Sequence, residues 1–149
     1  MAKNTLPIYS LDARHSTDGT ATSSSTLGAA LTSAANDSTG ASANNAVVFT
    51  ADATEGGFLQ ALRVIALGTN VASVLRVYLN NGSAATSAAN NTLIDEIPLP
   101  ATTASATTIT GPGISRLYNM RLYAGERIVV GLATAVSAGW RVTGIGSKF

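Results

Sequence analysis

The sequence predicts an all-β sandwich preceded by an extended N-terminal arm, and three observations predict it. From Ala46 onward, short runs of β-branched and aliphatic residues alternate with turn signals at the spacing of a sandwich, giving seven or eight strands. No stretch after residue 46 sustains a helical period. Residues 1–45 differ in composition from everything that follows, which divides the chain into an arm (1–45) and a β-domain (46–149).

Within the arm, Leu6-Pro7-Ile8-Tyr9 is the only apolar cluster near the start. Ser16–Asn45 is then almost entirely Ser, Thr, Ala, Gly, Asn and Asp, with Leu27 and Leu31 the only large apolar side chains. Such a stretch buries too little apolar surface to offset the entropy of ordering it. Two readings follow: a disordered tail, or an arm that orders on a partner surface through Leu6, Ile8 and Tyr9. Pro7 among three apolar residues favours the second. Leu27–Ala35 fits one short helical turn.

In the β-domain, Val47-Val48-Phe49-Thr50 reads as a strand and Asp52–Gly57 as a turn, with Gly56-Gly57 supplying the free backbone. The runs Phe58–Leu67 and Val71–Leu79, separated by Gly68-Thr69-Asn70, are the centre around which the rest is arranged. Neither has one apolar and one polar face. Leu62 and Val64 oppose Leu59, Arg63, Ile65 and Leu67; Val71, Leu75, Val77 and Leu79 oppose Val74, Arg76 and Tyr78. Strands apolar on both faces lie centrally in a sheet or are covered from outside, so the domain is expected to need a covering partner.

Asn80-Asn81-Gly82-Ser83 opens a loop through Asn91. Thr92–Leu99 is a strand whose Pro98, with Pro100 after it, suits a sheet edge or a strand end. Ala101–Thr110 reads as a weak strand broken by Gly111-Pro112-Gly113. Arg116–Tyr123, the turn Ala124-Gly125-Glu126, Arg127–Ala133 and Trp140–Ile145 complete the set. Ile128, Val130, Leu132, Trp140 and Val142 are the inward positions of the last two strands.

Charged residues make up 11% of the chain, less than half the ~25% of an ordinary soluble domain. A surface so poor in charge suits a protein packed in an assembly, and equally one that is merely neutral. The net charge of +1 gives no whole-chain drive toward nucleic acid or membrane. No cysteine is present, which excludes disulfides, thiolate metal sites and thiol nucleophiles. Met1-Ala2-Lys3-Asn4 leads into no long apolar run, so neither a signal peptide nor a transmembrane span is expected. The expected location is the cytoplasm, or a particle assembled there.

The residues that carry chemistry are sparse. His15, the only histidine, lies in the arm between Arg14 and Ser16. Gly-x-Ser-x-Gly, Gly-Lys-Ser and His-Glu-x-x-His motifs are absent from the sequence. Asp95 and Glu96 are adjacent on a strand and therefore point to opposite faces, which reads as edge-strand charge rather than a catalytic pair. Asp52, Glu55 and Asp95 lack the spacing of a calcium loop. No catalytic, cofactor-binding or metal-ligating residues are expected. Trp140 reads as core rather than as part of an aromatic platform for sugars. The β-domain holds seven basic and five acidic residues, and Arg63, Arg76, Arg121, Arg127 and Arg141 all fall inside strands. They read either as a ladder for acidic groups on a neighbour or as plain solvent-facing charges.

Val47-Val48-Phe49-Thr50-Ala51, Ala61-Leu62-Arg63-Val64 and the run Gly68–Val77 resemble segments of small structural proteins of tailed bacteriophages. So do Leu122–Ile128 and Gly139-Trp140-Arg141-Val142. The resemblance spans roughly residues 46–146 and carries no catalytic motif. It implies a jelly-roll-like sandwich on the exterior of the virion, most like a capsid decoration (cement) protein that binds the major capsid protein across subunit boundaries. It also implies a homo-oligomer, dimer or trimer, with neither nucleic acid nor membrane as partner. On that reading Leu6, Ile8, Tyr9 and the five strand arginines are the candidates for capsid contact. Ile65, Val74 and Tyr78, taken as outer apolar positions, are candidates for self-association. The rival reading is a head-fibre or tail module that recognises a host surface glycan.

Overall fold

The computed structural model describes residues 12–15, 29–34 and 38–149. These form two antiparallel sheets packed face to face. In chain order the strands are β1 (Asp12–His15), β2 (Ala29–Leu31), β3 (Ala46–Thr50), β4 (Gly57–Ala66) and β5 (Ser73–Asn80). They are followed by β6 (Asn91–Leu99), β7 (Ile114–Leu122), β8 (Arg127–Leu132) and β9 (Trp140–Lys148). One sheet runs β1-β9-β4-β7, with β2 also on β9; the other runs β3-β8-β5-β6. Successive strands from β3 to β5 and from β6 to β9 alternate between the sheets, the interleaved order of a jelly roll.

The two central runs, β4 and β5, are each central, but in different sheets. Residues between them carry the chain across one end of the sandwich. The mixed faces of the first run have a simple cause. A bulge between Leu59 and Ala61 interrupts the register with both neighbours, β7 and β9. One extra residue shifts the alternation by one, so Leu59 comes onto the same inner face as Leu62 and Val64. Arg63 and Ile65 are left on the outer face. In β5 the pairing with β8 is regular, and Leu75 and Val77 point inward as the period of two requires.

The core lies between the sheets. Leu59, Leu62, Val64, Leu122, Trp140 and Val142 from one side meet Leu75, Val77, Ile97, Leu99, Ile128, Val130 and Leu132 from the other. β6 is an edge strand, as Pro98 requires, since its missing N–H faces no further strand. The expected weak strand at 101–110 is instead irregular. A single bridge, Asn70 to Thr102, is its only ladder contact among the described residues. Small Thr and Ala side chains there bury too little to hold a strand against solvent.

The stretch expected to be an arm enters the sandwich. β1 pairs with the Ile145–Lys148 half of β9, and β2 with the Trp140–Val142 half. Residues 46–149 supply only seven strands, and without an eighth the edge of β9 would be open. Leu31 closes that edge with its side chain in the core, 5% exposed. Ala29–Leu31 is therefore strand, not the helical turn its Ala content suggests, because pairing with β9 outweighs weak local propensity. Leu6, Ile8 and Tyr9 lie outside the described residues.

Candidate functional site

Two outer faces of the sandwich could meet a partner, and they differ. On β5, Val74, Arg76 and Tyr78 point outward, but Tyr78 is fully buried together with its cross-strand neighbour Val129. The chain itself covers them. The segment around Gly40 lies on the Tyr78 ring so closely that a Cβ at Gly40 would sit 3.2 Å from it. Gly40 also has φ +83, which favours a residue without a side chain.

Asparagines staple that cover in place. Asn91 and Asn45 donate from Nδ2 to the Gly40 carbonyl at 2.8 and 2.6 Å. Both also donate to the Ala85 carbonyl, at 2.7 and 3.2 Å, and Asn80 donates to Asn91 Oδ1 at 2.8 Å. Tyr78 is thus corrected from a self-association position to one covered by the chain's own loops. The cover over this part of β5 is internal rather than a second protein.

The five strand arginines do not form one ladder, because β4 and β5 belong to different sheets. Arg76 is outward on the β5 face and donates from Nε to Glu96 Oε1 at 2.9 Å. Arg127 is outward on β8, where its Nη1 donates to the Ser83 carbonyl at 3.4 Å. Arg63, Arg121 and Arg141 share the opposite outer face, that of β9, β4 and β7. Directly paired residues project to the same side, so the register gives this face row by row. Arg141 stands beside Ile65, and Thr143 beside Arg63 and Ser115. Ile145 stands beside Ala61 and Leu117, and Ser147 beside Phe58 and Arg121.

That face combines cations with apolar side chains. Ile65 is 39% and Leu117 68% exposed. Arg63 donates from Nη1 to the Ser115 hydroxyl at 2.7 Å. No carboxylate stands in these rows, and none among the described residues pairs with Arg63 or Arg121. Val74 lies on the other outer face, so Ile65 and Val74 cannot belong to one flat contact.

Asp95 and Glu96 point to opposite faces as expected, and each has a partner. Glu96 takes Arg76. Asp95 turns inward at the β6 edge and reaches across to the β7 edge of the other sheet. Arg116 donates to it from Nε at 2.7 Å and from Nη2 at 3.0 Å, and the Tyr118 hydroxyl donates at 2.9 Å. A shallow depression lined by Ile94, Asp95, Ser115, Arg116, Leu117 and Tyr118 marks this clasp. Burial opposes the Asp95 charge, yet the Arg116 and Tyr118 hydrogen bonds overcome it and hold the carboxyl below its ordinary range. Burial and the neighbouring carboxylate push the Tyr118 phenol well above its ordinary value.

The sign of the linkage follows. A carboxyl with a depressed folded-state pKa stabilises the fold above its unfolded pKa, and that contribution disappears as pH falls through the folded value. Asp95→Asn should lower the melting temperature by roughly 2–4 °C at pH 7. The difference should begin to shrink below about pH 4, where the unfolded carboxyl protonates, and close as pH falls through the depressed folded value. Melting curves of both proteins across pH 2–7 check this; an equal gap at every pH would show that the charge contributes nothing.

Neither the clasp nor the exposed Leu117 is singled out by the sequence. The alternation of β7 places Arg116 and Tyr118 together, but only the stacking of β6 on β7 brings them to Asp95. Among the described residues no three His, Asp or Glu side chains converge as a metal site, and no helix is long and apolar enough to cross a membrane. Comparisons of the chain with protein-family models, with curated proteins and with solved structures find no match.

Proposed function

We propose that this chain is a non-enzymatic capsid decoration protein of a tailed-phage head, docking on the major capsid protein through the outer face of β9, β4 and β7. The observation that carries this reading is the asymmetry of the two outer faces. One is partly covered by the chain's own loops, with Arg76 neutralised by Glu96 and Arg127 donating to the Ser83 carbonyl. The other presents Ile65 and Leu117 beside Arg63 and Arg121, with no carboxylate in its rows. Arginine among apolar side chains is the composition of protein interfaces, where lysine is depleted.

Three strands about 4.8 Å apart and nine residues long give this face an area of about 400 Å². A stable interface takes about 800 Å² from each partner. A single contact of this size is weak, whereas several contacts engaged together on a repeating shell gain by effective concentration. Binding to assembled heads rather than to free capsid subunits follows from the same arithmetic, because a composite epitope exists only after assembly.

The test mixes purified protein with undecorated heads, with free capsid protein and with host surface glycans. Saturable co-sedimentation with heads, lost in an Ile65→Asp/Leu117→Asp variant that melts like wild type, is the expected result. Binding to glycan with none to heads would sink this reading and favour a fibre module. Deletion of residues 2–45 would remove Leu31 from the core and uncover the edge of β9, mixing stability with docking, so face substitutions are the informative variants.

A further inference from the structure

Resting on the reading of this face as the docking surface, we infer that its partner is an acidic protein surface, with carboxylates spaced among apolar side chains. Three observations lead there. First, the charged side chains in the rows of the face are all arginine: Arg63, Arg121 and Arg141.

Second, the carboxylates of the β-domain are largely engaged elsewhere. Asp95 is held by Arg116 and Tyr118, and Glu96 by Arg76. Asp52 accepts the N–H groups of Thr54 and Glu55 at 2.8 and 3.0 Å, and Glu126 accepts the Tyr123 N–H at 2.8 Å. No carboxylate among the described residues pairs with Arg63 or Arg121, which leaves both exposed guanidinium groups open to carboxylates on a partner.

Third, the arginines are interleaved with Phe58, Ile65, Leu117 and Ile145 rather than clustered. A phosphate backbone is tracked by a dense basic stripe, and the net charge of +1 supplies none. An anionic membrane likewise calls for a run of basic residues. Two separated guanidinium forks with apolar contacts between them fit carboxylates on a folded surface, each pair bidentate and the rows between them excluding water. Within its β-domain a second copy of this chain would offer only the Glu55 carboxylate without a partner among the described residues, which disfavours it as occupant.

The experiment records amide and arginine side-chain NMR spectra of the labelled full chain at low salt against defined probes. The probes are a random copolymer of Glu and Leu, the matching copolymer of Gln and Leu, a 30-base-pair DNA duplex, and phosphatidylserine vesicles. The Glu copolymer should shift resonances of Arg63, Ile65, Leu117 and Arg121, and raising the salt from 50 to 300 mM should weaken this several-fold. An Arg63→Gln/Arg121→Gln variant with unchanged melting temperature should lose at least tenfold in affinity, and an Arg63→Lys/Arg121→Lys variant only part of that.

Equal binding of the Gln copolymer, shifts elsewhere on the molecule, or no binding at all would overturn the inference. Preference for the duplex or the vesicles would assign the face to phosphate instead. Concentration-dependent shifts of the same residues without any probe would make a second copy the occupant. Copolymer binding without binding to heads would leave the acidic partner standing and remove the phage shell. Head binding that survives the Gln substitutions would do the reverse.

Discussion

Trp140→Ala should cost about 3–5 kcal/mol of folding stability, the largest effect expected of any single core truncation in this chain. Trp140 is fully buried at the start of β9, opposite Leu31 of β2 on one side and Ala66 of β4 on the other. It is the largest fully buried side chain among the described residues, in the same cluster as Val130 and Leu132 of the facing sheet. Truncation leaves a cavity that two packed sheets cannot close, because each is held by its own ladder. A domain of this size has roughly 5–15 kcal/mol to lose, so the variant should be marginal at 37 °C. Chemical denaturation with a common slope measures the loss; an unchanged midpoint would place the indole at the surface.

The same residue permits a sharper test. Trp140 Nε1 is buried with no hydrogen-bond acceptor among the described residues. An unsatisfied donor costs about 1–3 kcal/mol, so replacing the indole by a phenyl ring removes a penalty as well as some contacts. Trp140→Phe should therefore cost far less than Trp140→Ala, about 1–2 kcal/mol. Equal losses from the two variants would mean that the N–H has a partner in solution.

The contrast between these two sheets shows what a linear reading could reach. Inward positions of β8 and β9 follow from plain alternation, because neither strand is bulged in its core half. β4 defeats alternation at one residue. Leu59 reads as outward from Leu62, and only the bulge restores it to the core. Whether Tyr78 is covered was not legible, since its cover comes from residues near Gly40, thirty-eight positions earlier in a polar stretch.

That stretch also hides β2. Three residues with Ala at two of them carry no strand signal; they are strand because β9 offers an unpaired edge. The docking face suffers from the same limit. Arg63 and Arg121 lie fifty-eight residues apart, and only the register of β4 with β7 places them on one surface. Individual side chains were readable, but which of them share a face depends on non-local pairing.

Asn70→Ala should be nearly as damaging as the loss of Trp140, through polar groups rather than volume. Asn70 lies between β4 and β5 and is 3% exposed. Its Nδ2 donates to the carbonyls of Gly68 and Gly139 at 3.1 and 3.0 Å and to Thr102 Oγ1 at 3.3 Å. Its Oδ1 accepts the N–H groups of Ala138 and Gly139 at 3.0 and 2.8 Å. The backbones of Asn70 and Thr102 exchange two further hydrogen bonds, at 3.0 and 2.9 Å.

One side chain thus joins the β4–β5, β6–β7 and β8–β9 connections at one end of the sandwich. Alanine would strand the N–H groups of Ala138 and Gly139, whereas the Gly68 and Gly139 carbonyls keep the Thr102 hydroxyl and the Leu67 N–H as donors. At about 1–3 kcal/mol for each of the two buried orphans, partly relieved by local opening, the expected loss is about 2–4 kcal/mol. Asn70→Asp keeps the acceptor but replaces the donor with a buried charge, and should do no better. The diagnostic readout is local. Amide exchange at Ala138 and Gly139 should accelerate by orders of magnitude more than at Val130, which sits in the centre of β8. Uniform acceleration would mean that Asn70 acts only on global stability. Undiminished protection would mean that other groups hold the connections. The row of Ile65 and Arg141 lies beside this end, so a variant that folds but frays there should also dock more weakly, while the Arg121 end of the face stays ordered.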